Sequence, residues 1–175
     1  MKQKLFFFFA TLFSTLTLHA AQPDSVGYLV KRGQYAPDFQ ATLLDGSTFQ
    51  LSQHNGKVIM LQFTASWCGV CRKEMPQIEK QIWQRHKNNP NFVLVGIDRD
   101  EPAEKVQNFV RLTQVTYPMA LDPGANIFAL YADRNAGITR NVLIGKDGKI
   151  VMLTRLYKEE EFNQLVLTID QLLSE

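Results

Sequence analysis

The chain has 175 residues, 45% of them hydrophobic and 21% charged, with a formal charge of +2. This composition excludes a disordered or collagen-like chain and suits one compact domain with a sizeable core. With 19 basic against 17 acidic residues there is no basic excess of the kind nucleic-acid binders show, so no nucleic-acid partner is expected.

Residues 1–21 read as a signal peptide. Lys2 and Lys4 form a positive start, and Leu5 to Leu18 is rich in Leu, Phe, Ala and Thr. That stretch is short of the roughly 20 apolar residues of a bilayer span. Cleavage after Ala20 or Ala21 is the expectation, although Leu18 departs from a small-x-small site; an uncleaved leader would instead tether the protein to the membrane. Either way an exported, periplasmic protein is expected. Lys2 and Lys4 carry the whole formal excess, so the domain expected over 22–175 has as many basic as acidic residues.

Residues 22–36 look irregular, punctuated by Pro23, Gly27 and Gly33. Leu43 to Phe49 reads as a hairpin turning at Asp45-Gly46. Val58 to Thr64 is a nearly continuous apolar run, the pattern of a strand buried on both faces. Met75, Ile78 and Ile82 then share a helical face, which Asn88 to Asn91 ends. Phe92 to Ile97 reads as a second buried strand. Pro102 falls in the first turn of a second helix, with Asp100 as its cap and Val106, Val110 and Thr113 on its inner face. Tyr117 to Ala120 is a short segment, and Ala125 to Tyr131 a short helix. Asn141–Ile144 and Lys149–Leu153 flank the hairpin signal Lys146-Asp147-Gly148. Phe162, Leu165, Val166, Ile169 and Leu172 mark a closing amphipathic helix. This order predicts an α/β fold, with a mixed central sheet covered by helices on both faces.

The only two cysteines lie in Trp67-Cys68-Gly69-Val70-Cys71, directly after a buried strand and at the start of a helix. Free backbone amides and the helix dipole favour a thiolate there. A thiolate attacks a disulfide, and a second thiol one turn on resolves the mixed disulfide. Cys68, at the tip, is expected to be the nucleophile and Cys71 the resolving thiol. Zinc needs about four ligands, and His54 and His86 lie in separate segments, so no metal is expected. A static disulfide closing so short a loop would stabilise little.

Phe63-Thr64-Ala65-Ser66-Trp67-Cys68-Gly69-Val70-Cys71-Arg72-Lys73-Glu74-Met75-Pro76 resembles the thioredoxin superfamily, in particular its exported thioredoxin-like reductases of the TlpA/ResA type. Gly33 to Phe39, Leu44-Asp45-Gly46, Leu51-Ser52, Gly56-Lys57, Leu121-Asp122-Pro123 and Leu143 to Lys149 extend the resemblance to roughly residues 30–173. It implies a thioredoxin-like fold with an N-terminal β-hairpin extension and no cofactor besides the Cys68–Cys71 disulfide. The partners it implies are protein disulfide substrates and a membrane thiol electron donor.

By this resemblance Pro76 is the proline that kinks the active-site helix, and Glu74 a carboxylate that tunes the cysteines and accepts protons. On the residues alone, Glu74 could equally be a solvated helix residue paired with Arg72 or Lys73. Gln62 stands where thioredoxin carries a buried aspartate, and Gln cannot be an anionic base. Trp67 reads either as an apolar docking surface or as a packing aromatic at a strand end. The cis-proline that normally faces the cysteines is replaced by Thr139, after Ile138, and both residues are expected at the substrate edge. The bond before Thr139 is either trans or a strained cis. Thr139 adds a hydroxyl near the thiols. Arg140 either brings positive charge there or points to water.

The leading expectation is a thiol–disulfide oxidoreductase acting as a reductase. A thiol peroxidase is the enzymatic alternative, although Thr64 sits four residues before Cys68 rather than three. A redox-inert periplasmic binding module is the third reading.

Overall fold

A computed structural model describes residues 24–175; the signal peptide expected at residues 1–21 lies outside them. The chain opens with the hairpin β1 (Gln40–Leu43) and β2 (Thr48–Gln50). Its turn works because Gly46 takes a φ of 85°, a left-handed conformation that costs glycine little. Strand β3 (Val58–Thr64) is buried at every position, as its unbroken apolar run requires. Helix α1 (Gly69–Ile78) follows, continued by a π turn (Glu79–Trp83) and the short α2 (Gln84–His86). Then come β4 (Phe92–Arg99), α3 (Ala103–Thr113), β5 (Met119–Asp122), α4 (Phe128–Tyr131), β6 (Arg140–Ile144), β7 (Ile150–Arg155) and α5 (Glu159–Ser174).

The strands form one sheet in the order β2-β1-β5-β4-β3-β6-β7. β3, β4 and β5 are parallel, and the remaining pairings are antiparallel. Alternation along β3 divides the core. Gln62 and Thr64 meet Glu74 and Met75 of α1 on one face. Phe63 points to the other, where its ring meets Phe128 and Tyr131 of α4 at centroid distances of 5.7 and 5.3 Å. Met75, Ile78 and Ile82 are fully buried, so the apolar stripe of α1 persists through the π turn. Asp170 of α5 pairs with Arg85 and His86 of α2 at 2.7 and 2.8 Å, which sets α5 beside the active-site helix.

The structure corrects four local readings. Met119–Asp122 is a full strand of the sheet, although only four residues between Pro118 and Pro123 signal it. Helix α3 has Pro102 as its N-cap, in extended conformation; Asp100 does not cap it, and its carboxylate instead accepts the Gly124 N–H at 2.6 Å. The expected helix over Ala125–Tyr131 is shorter, with a 3-10 turn over Pro123–Ala125 before α4. The irregular N-terminal segment is anchored by Tyr28, which bridges to Ala132 and donates its hydroxyl to the carbonyls of Thr154 and Asn141 at 2.6 and 3.2 Å.

Gly96 of β4 shows how tight the sheet face under α1 is. A Cβ there would collide with the Met119 thioether and lie 3.2 Å from Tyr117 Cε2. Gly96→Ala is expected to destabilise the fold by about 1–3 kcal/mol, read as a lower urea midpoint at unchanged slope.

Candidate active site

Strand β3 delivers the chain to the tip of the sheet at Thr64, and the loop Ala65–Cys68 turns it into α1. Cys68 is the N-cap of α1, in extended conformation (φ −87°, ψ 108°). Its sulfur accepts the Cys71 N–H at 3.1 Å, one of the free donors at a helix start. Cys68 and Cys71 are joined as a disulfide, with Cα atoms 5.3 Å apart. Cys68 keeps 7% of its surface accessible, whereas Cys71 is fully enclosed. An outside sulfur can therefore reach Cys68 only.

Two contacts hold the loop. The Ser66 N–H and hydroxyl donate to Glu101 at 2.5 and 2.7 Å, and Lys105 pairs with Glu101 at 3.2 Å. The Arg72 guanidinium donates to the Ser66 carbonyl at 2.6 and 3.1 Å. Trp67, between these anchors, is 59% exposed, which overturns the reading of a packing aromatic. Pro76 lies inside α1, where it leaves the Arg72 carbonyl without a helical donor.

Glu74 is buried at 1% exposure, so the solvated reading paired with Arg72 or Lys73 does not hold. Asn141 Nδ2 donates to one carboxylate oxygen at 2.7 Å and Gln62 Nε2 approaches the other at 3.4 Å. Gln62 in turn accepts the Tyr117 hydroxyl at 2.6 Å, and Asn141 also donates to Thr154 at 2.9 Å. Burial pushes the Glu74 carboxyl up to about 7 against the pull of the Asn141 and Gln62 hydrogen bonds, and the charge of Glu161 pushes the same way. A second buried carboxyl, Asp98, stands opposite Thr64 in the β3–β4 register and is pushed up to about 8 by burial and by Glu101.

Thr139 closes the site. Its Oγ1 lies 2.9 Å from Cys68 Sγ and 3.0 Å from Cys71 Sγ, so the hydroxyl touches both sulfurs. The peptide bonds of the described residues are trans, and the unusual feature is the Thr139 φ of 70°. Ile138, before it, is 4% exposed. Arg140 does not point to water. It is buried, with Nε donating to the Gly137 carbonyl at 2.9 Å, Nη2 to the Val26 carbonyl at 2.5 Å, and its guanidinium 4.4 Å over the Tyr28 ring.

Nothing in the sequence sets Glu101, Tyr117, Asn141 or Asp98 apart as site residues, and Ser66 only by its place beside the cysteine pair. Each joins the site through a partner far along the chain. Among the described residues, no group of three or more His, Cys, Asp or Glu side chains is placed to hold a metal ion.

Fold and site together define a thiol–disulfide oxidoreductase of the thioredoxin-like class. The chain belongs to the Redoxin family, whose model matches residues 31–171. It is similar to the thiol-disulfide oxidoreductase ResA of Bacillus cereus, 34% identical over 119 residues. That match covers 68% of this chain and 66% of ResA, so the chain spans about two thirds of that relative's length. Among solved structures it is similar to a candidate protein disulfide isomerase from Bacteroides thetaiotaomicron, at 65% identity and a TM-score of 0.84, covering 87% of this chain and 96% of that one. It is also similar to a secreted disulfide oxidoreductase from Mycobacterium tuberculosis that is homologous to Escherichia coli DsbE, at 25% identity and a TM-score of 0.61, covering 74% of this chain and 95% of that one.

Proposed function

We propose that the protein is exported through a signal peptide at residues 1–21, and that its domain over 22–175 reduces protein disulfides. The observation that carries this reading is the asymmetry of the Cys68–Cys71 pair, an accessible sulfur at a helix N-terminus backed by an enclosed one. The Cys68 thiolate attacks a substrate disulfide, forming a mixed disulfide and releasing one substrate thiolate. The Cys71 thiolate then attacks Cys68 Sγ, closing the intramolecular disulfide and releasing the second substrate thiolate. A dithiol donor at the membrane restores the pair. Glu74, one turn beyond Cys71 and pushed up to about 7, receives the Cys71 proton. The likeness to a secreted disulfide oxidoreductase supports export, and the likeness to ResA supports disulfide exchange as the chemistry. The peroxidase alternative draws no support from Thr64, whose hydroxyl donates to the Met75 sulfur at 3.3 Å.

Insulin reduction driven by dithiothreitol tests the proposal. The wild type is expected to accelerate it and Cys68→Ser to run at the uncatalysed rate; equal rates for the two would refute it. Trp67, exposed beside the attacking sulfur, serves as the apolar docking point. Trp67→Ala is expected to raise KM for a protein disulfide about tenfold, as loss of an aromatic anchor does. Reduction of a small disulfide reagent should change little.

A further inference from the structure

Thr139 is 1% exposed, and its hydroxyl has no hydrogen-bond partner among the described residues other than the two sulfurs. A buried hydroxyl must place its proton somewhere, because leaving it unpaired is costly. A β-branched residue at φ 70° is itself unfavourable by about 1–3 kcal/mol, and it persists only where its surroundings fix it. Here the surroundings do fix it. The Thr139 carbonyl accepts the Leu156 N–H at 3.0 Å, and Arg140 and Arg99 clamp the carbonyls of Gly137 and Ala136 at 2.9 and 3.0 Å. The strained backbone thus aims one hydroxyl at two reacting atoms. A proline at this place would supply no hydroxyl at all.

We propose that Thr139 is a catalytic residue whose hydroxyl serves both sulfurs in turn, as donor to whichever one is the thiolate and as acceptor from the other while it is a thiol. This rests on the exchange reading above. In the reduced protein, Cys71 S–H donates to Thr139 Oγ1 and Thr139 O–H donates to the Cys68 thiolate. Attack on the substrate forms the Cys68–substrate S–S bond and breaks the substrate's own; the released thiolate takes a proton from water. Cys68 is then neutral, and the Thr139 O–H turns to Cys71 as that thiol passes its proton to Glu74. Closure of the Cys68–Cys71 bond breaks the mixed disulfide, and the second substrate thiolate is protonated from Glu74 through solvent. Two electrons and the Cys71 proton have passed from the protein to the substrate, and water has supplied the second proton.

Thr139→Val keeps the shape and the β-branch and removes the hydroxyl, while Thr139→Ser restores it. The readout is the alkylation rate of Cys68 in the fully reduced protein against pH, with mass spectrometry locating the label. A hydrogen bond to a charged group is expected to make about a tenfold difference in Cys68 thiolate reactivity at mildly acidic pH. The Val profile should therefore move to higher pH, with Ser close to wild type. Coincident Val and wild-type profiles, or a Ser variant as impaired as Val, would overturn the role. Thr139→Ala replaces Val if the latter fails to fold. The assay contains no substrate disulfide, so a wild type that fails to reduce insulin overturns the exchange reading instead, and the two failures are distinguishable.

Discussion

Cys71→Ser, expressed as the full chain, is expected to accumulate as mixed disulfides through Cys68. In the wild type the resolving sulfur is held against Cys68, so release is intramolecular and escapes the dilution that limits any outside thiol. Replacing it leaves only solution thiols to do the job. The lifetime of the mixed disulfide should lengthen on the order of a thousandfold or more. Non-reducing gels followed by mass spectrometry of the captured species measure this and identify the substrates. Cys68→Ser in the same experiment should capture nothing, because Cys71 is fully enclosed.

Glu74→Gln is expected to change how stability depends on pH. The folded carboxyl is pushed up to about 7, while an unfolded Glu titrates near 4.5. Below about 4.5 both states hold the proton, and the group contributes nothing to the pH dependence. Between about 4.5 and 7 the folded state holds a proton that the unfolded state has released, so wild-type stability falls as pH rises. Above 7 the loss is complete, about 3 kcal/mol at 1.36 kcal/mol per pH unit. Gln carries no charge to bury and still accepts the Asn141 amide. Its stability relative to wild type should therefore climb by about 3 kcal/mol from acid to mildly alkaline pH. Taking the difference between the two curves removes Asp98, which imposes a fall of the same sign up to about 8 in both proteins. Urea unfolding at a series of pH values reads the result. A difference independent of pH would mean that Glu74 titrates alike in the folded and unfolded states, with no upward push from burial. The same variant should slow release of the mixed disulfide near neutral pH, where Glu74 takes up the Cys71 proton.

The features legible in the sequence are those with a local cause. The apolar run of β3, the two Asp-Gly turns and the cysteine pair at the start of α1 each follow from residues within a few positions of one another. Glu74 was ambiguous because Arg72 and Lys73 beside it are the signature of a solvated helix face. Its burial is decided by Asn141 and Gln62, which the β3–β6 register brings together from distant parts of the chain. Arg140 is ambiguous for the same reason: its partners Val26 and Tyr28 lie over a hundred residues away, in a segment without periodicity. Strand β5 is too short to show an alternation, and it exists because β4 offers it a parallel edge and β1 an antiparallel one. The position of Thr139 against the thiols was legible only through the place of the missing proline. That its hydroxyl spans both sulfurs depends on a positive φ that no pattern of residue types announces.

The central claim is that the Cys68–Cys71 pair exchanges its electrons directly with a protein disulfide. A single turnover tests it most directly: fully reduced protein is mixed with oxidised insulin in the absence of any other thiol, and free thiols and disulfides are counted by alkylation and mass spectrometry. The account predicts that each Cys68–Cys71 disulfide formed is matched, mole for mole, by a substrate disulfide reduced. A protein that emerges with both cysteines still free, or oxidised with the substrate untouched, would contradict it.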